Sequence, residues 1–515
     1  MTDLPKGWAR IALADLGSWK GGGTPSKTRP DFWGGAIPWV SPKDMKADKI
    51  KATGDGITPE AVAGSATSLI PAGSILIVTR SGILAHTFPV AINAIDVTVN
   101  QDLKALIPLA GLSPDYIRLV LKGHERQILD ACVKDGTTVH SIELPTLMGF
   151  EIPLPPLPEQ HRIVVKIEAL FSELDAGQDS LTRAQAQLKL YRQSLLKAAF
   201  QGRLTADWRA ANPDKLESPE TLLSRIRTER DARYKQALDD WQQALTDWRT
   251  GGEVGRKPGK PSRPEVSGNP DIPEDLQEIC GTEWPWLRLG DIAEVSGGLT
   301  KNQKRNTLPR KMKYLRVGNV YADRLDLDEI SEIGVSEDEW ESNRLAQGDL
   351  LIVEGNGSVD QIGRVAIWDG SIDRIGHQNH LIRVRFLDGQ LARFFLSFLM
   401  SPLGRDLIVR QASSTSGLHT LSISKVSALP VPVPTPIEQA RLLEAVAAPL
   451  SLVDHQMGEI TTALAKITAL RQSILKQAFS GRLVPQDPAD EPASALLARL
   501  RASAPPARAK RKTQA

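Results

Sequence analysis

The chain has 515 residues, 24% of them charged, with 63 basic against 61 acidic side chains and a net charge of +2. That length exceeds what one core supports and suits two domains of ~150 residues with connecting segments. The two cysteines, Cys132 and Cys280, exclude a disulfide framework or cysteine-rich metal site, and Met1-Thr2-Asp3-Leu4-Pro5 opens no basic-then-apolar signal, so a soluble cytoplasmic protein without a membrane partner is expected.

In chain order, the first globular stretch mixes short β-like runs (Ile75 to Thr79, Val97 to Val99, Leu103 to Ile107) with Gly and Pro turns. One helix is expected after Ser113, a fitting N-cap with Pro114 at the first helical position, carrying Ile117, Val120, Leu121, Ile128 and Leu129 on its apolar face. The proline-rich strap Ile152 to Pro158 then stops before a long helix. In that helix Ile163, Ile167, Leu170, Leu174, Leu181, Ala184, Leu188, Tyr191 and Leu195 follow alternating steps of four and three, with Gly177 as the weak point. Residues from about 206 to 249 read as further charged helix (Leu222, Leu223, Ile226, then Leu238, Trp241, Leu245, Trp248), followed by a Gly- and Pro-rich linker. A second α+β stretch repeats the plan, with a helix near Leu391 to Arg410, a strap from Val431 to Pro436 and a second long helix. Its apolar row is Leu442, Val446, Pro449, Val453, Gln456, Ile460, Ala463, Ile467, Leu470 and Ile474. Leu496 to Arg501 echoes Leu222 to Arg227, and Arg508 to Lys512 makes a basic end that is either solvated or a phosphate contact.

The two long helices are copies. Glu159 to Leu204 aligns with Glu438 to Leu483 without a gap at an offset of 279, with 19 of 46 positions identical, and both copies close on Gly-Arg-Leu. Two copies of one unit imply approximate two-fold symmetry, and heptads on two helices of one chain argue that they wind on each other as a rod of ~60 Å, the alternative being that each covers its own domain or zips to another chain.

Catalytic signatures are missing. There is no Walker A sequence, no Asn-Pro-Pro-aromatic or Asp-Pro-Pro-aromatic tetrapeptide of amino-group methyltransferases, no histidine pair at metal-ligand spacing and no nucleophilic serine motif. An enzyme in its own right is not expected. Near-neutral globular halves, with 15 basic against 15 acidic residues in 1–155 and 18 against 19 in 281–430, require that any nucleic-acid binding use local patches or partners.

Two variable stretches, each followed by a matched helix ending in Gly-Arg-Leu, resemble the specificity subunits of type I restriction-modification systems. The first half strengthens this: Gly21-Gly22-Gly23-Thr24-Pro25-Ser26-Lys27, Phe32-Trp33-Gly34-Gly35, Ile37 to Met45 and Asn100 to Lys104 look like a common target-recognition pattern of that family, from which Gly297-Gly298-Leu299-Thr300 in the second half departs. The resemblance implies an α+β fold with two tandem target-recognition domains (1–157 and 283–436) and two long antiparallel coiled-coil helices (158–205 and 437–483). It leaves 206–282 as a helical extension with linker and 484–515 as a C-terminal tail. It also implies that each domain reads one half of a split, asymmetric double-stranded DNA site and that the coiled coil sets the spacer and docks two methyltransferase subunits. In such systems the methyltransferases use S-adenosylmethionine to methylate adenine, two motor-nuclease subunits use ATP and Mg, and this chain itself would hold no cofactor.

Loop residues able to reach phosphates or base edges are the candidate DNA contacts. In the first half these are Thr24, Ser26, Lys27, Lys43, Arg80, Ser81 and Gln101; in the second, Lys301, Asn302, Lys304, Arg305, Lys313, Arg316, Asn356 and Gln378. Lys301 to Lys313, with six basic residues, is the clearest patch. Thr137, Thr138 and His140, with Ser416 and His419, either contact DNA or cap the turn into the strap. Trp33 and Trp39 are expected in the core. The coiled-coil interface is assigned to Ile163, Ile167, Leu170, Leu174, Leu181, Leu188 and Leu195 on one helix. Leu442, Val446, Val453, Ile460, Ile467, Leu470 and Ile474 form its counterpart.

Overall fold

The computed structural model describes residues 4–134, 139–254, 257–261, 270–277, 284–359, 361–386, 391–415 and 418–503. Thr137, Thr138, Ser416 and the basic end at 508–512 lie outside them. The chain divides into two units, 1–183 with 460–515 and 184–459.

The first unit is built on a five-stranded sheet in the order Gly17–Gly21, Leu103–Pro108, Ile75–Val78, Val90–Asn93, Lys49–Ile50. Ile75 to Val78 are buried on both faces, as a central strand covered by helix on one side and loops on the other must be. The strand Trp33–Val40 runs parallel to Thr98–Val99 beside it, and Arg80–Ser81 pairs with His140–Ile142 at the margin. The second unit repeats this plan where sequence identity has vanished. Its sheet runs Ala293–Gly297, Leu381–Phe386, Leu350–Val353, Val365–Ile367, Arg310–Leu315 runs parallel to Gly376–His377, and Gly355–Asn356 pairs with Leu418–Thr420. In each unit the strap is a strand, Glu151–Leu154 against Ala9–Ala12 and Pro430–Pro432 against Trp286–Arg288. It is an edge strand, the position that prolines tolerate.

Two single helices expected from the sequence are each broken in two. Pro114–Gly123, capped by Ser113, gives way to Glu125–Cys132 at His124, whose Nδ1 sits 2.8 Å from the Val120 carbonyl. Leu391–Met400 gives way to Pro402–Gln411 at Ser401, whose hydroxyl accepts from Gly404 N at 3.1 Å. In the second case an N-cap serine followed by proline restarts the helix in a new direction. The charged extension begins with a short helix, Ala206–Ala211, before Pro219–Thr250. Leu222 of the latter is buried in the core of the second unit. The C-terminal stretch does the same for the first unit, where Ala493–Ser503 buries Leu496 and Leu497.

The long helices, Leu157–Phe200 and Pro436–Phe479, have 44 residues each, about 66 Å of helix. Within each unit the portions present pair antiparallel. In the second unit Arg192 bonds Asp454, and in the first Arg471 bonds Asp175. These are equivalent positions of the two copies. Ile163, Ile167, Leu442, Val446, Val453, Ile460 and Ile467 are buried, whereas Leu170, Leu174, Leu181, Leu188, Leu195 and Ile474 are half-buried. Leu470 is instead 50% exposed, as is Tyr191 at the equivalent place, and Gln456 is exposed. A straight helix drifts from a strict seven-residue repeat, so after Leu188 and Ile467 the step is four rather than three and the inward positions fall on Arg192 and Arg471.

Candidate nucleic-acid interface

In the first unit one loop cluster gathers several of the sequence-predicted residues. The central strand Ile75–Val78 ends at Thr79, and the amides of Thr79 and Arg80 both donate to the Asp102 carbonyl, at 2.7 and 3.2 Å. That seats the Arg80–Ser81 strand beside the Asn100-Gln101-Asp102 turn. The segment after Gly21 crosses the same turn, where Gly23 N donates to the Val99 carbonyl at 2.9 Å and Thr24 hydrogen-bonds Gln101 through their side chains. A Cβ on Gly22 would lie 1.8 Å from the Asn100 carbonyl oxygen. That glycine therefore serves the packing of one loop on another. On the other side His140 pairs with Ser81. Thr24, Arg80, Ser81, Gln101 and His140 thus share one edge of the domain. Ser26 and Lys27 continue exposed from it, Ser26 bonded to Thr28 at 2.8 Å. Lys43 is exposed on the turn after Trp33–Val40. Lys27, Lys43 and Arg80 have no carboxylate partner among the described residues, so each offers a whole positive charge. Trp33 and Trp39 meet edge to face at 5.1 Å between ring centroids, and their indole N–H groups donate to the Ser26 and Gly23 carbonyls. They are the floor under this loop.

The second unit builds the same framework from different residues. Glu354 N donates to the His380 carbonyl at 3.0 Å, Leu299 N to the His377 carbonyl at 2.8 Å, and Asn356 pairs with His419. A Cβ on Gly298 would lie 2.2 Å from the His377 carbonyl oxygen. These matches set Gly298 against Gly22, Thr300 against Thr24, Asn379 against Gln101, His380 against Asp102 and Asn356 against Ser81. Thr300 and Asn379 were not among the sequence candidates; Gln378, half-buried and held through its amide to Leu315, stands one place before Asn379. The only sequence signal for them was Gly297-Gly298, which the differing next residue concealed. Glu354 and His380 face each other at 2.7 Å on the edge where the first unit carries Thr79 and Asp102.

The basic patch Lys301 to Lys313 is less free than its composition suggests. Arg305 forms a two-point ion pair with Glu339 and also donates to the carbonyls of Thr300 and Gly334, so it staples the 303–307 turn to the strand Ser331–Val335. Its hydrogen bonds and charge hold the Glu339 carboxyl below the usual range. Arg310 is bonded to Glu337 and lies over Trp340, and Arg316 reaches Glu329 at 3.8 Å. Asn302 is spent as a cap, its Oδ1 accepting from Arg305 N at 3.2 Å. Lys301, Lys304 and Lys313 remain exposed without a carboxylate partner among the described residues. Arg305 and Asn302 thus support the turn, Arg305 through Glu339 and two carbonyls and Asn302 through its cap.

No group of three or more His, Cys, Asp or Glu side chains able to hold a metal ion occurs among the described residues, and no described helix is long and apolar enough to cross a membrane.

Comparison with known proteins adds relatives. Residues 5–182 match the domain described as type I restriction modification DNA specificity domain. The chain is 42% identical over 188 residues to the EcoR124I/EcoR124II specificity subunit of Escherichia coli, covering 36% of this chain and 46% of that protein. It is 25% identical over 380 residues to the EcoKI specificity subunit of Escherichia coli K12, covering 71% and 67%. The first of these matches thus spans less than half of the relative's length. A solved chain from a study of complex assembly in a type I restriction-modification system has the same fold, with a TM-score of 0.59 over 94% of this chain and all of that one at 15% identity. Residues 5–182 thus carry a type I restriction modification DNA specificity domain, and the chain as a whole is similar to type I specificity subunits.

Proposed function

We propose that this chain is the non-catalytic DNA-reading subunit of a type I restriction-modification complex and that each unit reads one half of an interrupted double-stranded site. The observation that carries the reading is the pair of loop clusters, one framework furnished with two different sets of side chains. A shared scaffold with divergent polar loops is what two different half-sites require, since phosphate contacts position a protein and base-edge contacts specify sequence. The paired long helices act as the spacer between half-sites and as the docking surface for two methyltransferase subunits, which use S-adenosylmethionine to methylate adenine. Two motor-nuclease subunits using ATP and Mg complete the complex. In the first unit Thr24, Arg80, Ser81 and Gln101 are the reading residues, with Lys27 and Lys43 on phosphates. In the second unit Thr300, Asn356 and Asn379 read, and Lys301, Lys304 and Lys313 hold phosphates.

A single-molecule methylation map of a host carrying this chain and its methyltransferase tests the proposal. An asymmetric, interrupted motif with N6-methyladenine on both strands should vanish when the chain is deleted. An unchanged map with an active methyltransferase present would overturn it.

A further inference from the structure

Each end of the helix pair carries a clasp beside a buried glutamate, Glu159 or Glu438, that the repeat marks but does not explain. In the second unit Glu438 opens one long helix and is 2% exposed at its side chain. Its Oε1 accepts from Thr205 Oγ1 at 2.8 Å and from Arg209 Nη1 at 2.6 Å. Arg209 also donates through Nη2 to the carbonyl of Gly202 at 2.9 Å. Gly202 ends the other long helix at φ 70°. One guanidinium thus ties the last turn of one helix to the first turn of its antiparallel partner.

In the first unit the same two places are Glu159 and Gly481, the latter at φ 71°. Glu159 is buried and accepts from Trp8 Nε1 at 3.0 Å, while Gln486 donates to the Gly481 carbonyl at 2.6 Å beside it. Burial pushes the Glu159 carboxyl up, against the opposing pull of Trp8, Gln486 and Arg162. The paired glutamates and glycines are identical in the two copies, whereas the bridging residues come from the unrelated segments that follow them.

Resting on the proposed reading, we infer that Arg209 with Glu438, and Gln486 with Glu159, are positioning residues that lock the helices in one register and so limit the complex to one spacer length. The seam alone is a weak ruler. Its middle is only half-buried on the first helix, at Leu174, Leu181 and Leu188, and a seam of interchangeable Leu, Ile and Val side chains permits slippage by a heptad. The clasps add directional bonds at positions where a slipped register has none. A charge-assisted hydrogen bond left unmade in a buried site is the costly alternative.

The experiment is a methylation map of the full chain, co-expressed with its methyltransferase, on DNA carrying both half-sites at the native spacing and at spacings about three base pairs shorter and longer, the ~10.5 Å of one heptad. Wild type should methylate one spacing. R209M should raise methylation at an altered spacing by at least about tenfold, the ratio that loss of one such bond corresponds to. R209M/E438Q, which leaves no charge buried, keeps the helices folded and should loosen the selection in the same way. Q486A, an uncharged change at an exposed residue, should loosen it less. Folded variants, shown by unchanged thermal unfolding, that still methylate only the native spacing would overturn the clasp. Failure of wild type to methylate any interrupted site would instead overturn the reading on which it rests.

Discussion

The two loop clusters share their backbone and little else. In the first unit the edge strand presents Arg80 with its charge unspent, and the crossing loop adds Thr24 hydrogen-bonded to Gln101. In the second the matching places hold Gly355, Thr300 and Asn379, and a Glu354–His380 pair occupies the edge. The framework bonds are the same backbone bonds in both, which is why they survive when the side chains change. The proposed reading therefore rests on side chains that the fold does not need, and stability on backbone contacts and on staples such as Arg305. The comparison also separates cations by role: Arg305, with carboxylate and carbonyl partners, holds the domain, and Arg80, without a carboxylate partner among the described residues, is left for the proposed DNA contact.

The largest effect should come from the shared backbone crossing. G22V and G298V place side-chain atoms inside the Asn100 and His377 carbonyls, and each should destabilise its own unit by roughly 3 kcal/mol or more. Hydrogen exchange should find the loss confined to the mutated unit, and a uniform loss would break the claim that the frameworks are built separately.

Next, R80A and R305A should diverge. R80A should weaken binding to DNA by about ten- to a hundredfold and leave thermal unfolding in place, as for loss of an arginine contact worth ~1–3 kcal/mol. R305A, which removes the staple to Glu339, should lower the unfolding midpoint and change affinity little. If both variants behave alike in titration and melting, the sorting of cations by partner is wrong.

A third difference is acid sensitivity. His377 occupies the strand position that Val99 fills in the first unit and is fully buried. Burial, aided by Arg383 and Arg385, lowers its pKa to about 3. Its unfolded value is higher, so the unfolded state takes up the proton first. Stability of the second unit should fall as pH drops from about 6.5 toward 3, by at most roughly 1.4 kcal/mol per pH unit. H377V should remove that slope in urea titrations while the first unit is unaffected. The smallest effect belongs to Lys27 and Lys43, where each alanine substitution should reduce the salt slope of DNA binding by about one counterion without altering the motif.

Much of the long helices was legible because their information is local and periodic. Seven-residue apolar spacing, Ser and Pro starts and a terminal Gly are read one residue at a time. The pattern failed at Leu470 and Tyr191, where drift of a real helix hands the inward position to Arg471 and Arg192, two residues that their identity across the copies could have flagged. The site was legible only in the first unit. There Gly22-Gly23-Thr24 and Asn100 to Lys104 stand in a recognised pattern, but nothing local links Gln378 and Asn379 to the loop after Gly298.

From its order of residues alone, this chain determined that it holds a duplicated helix of fixed length, capped by Gly-Arg-Leu and preceded by a proline strap. It also determined that catalysis is not written in it by any familiar motif. Tertiary structure decided which cations remain free, which threonine answers which across the two units, and how Arg209 and Gln486 close the helix ends. Several of those properties depend on remote partners, as in Arg305 with Gly334, 29 residues away, and Arg209 with Glu438, 229 residues away. A hydrogen bond between remote residues leaves no period in the sequence from which to read it.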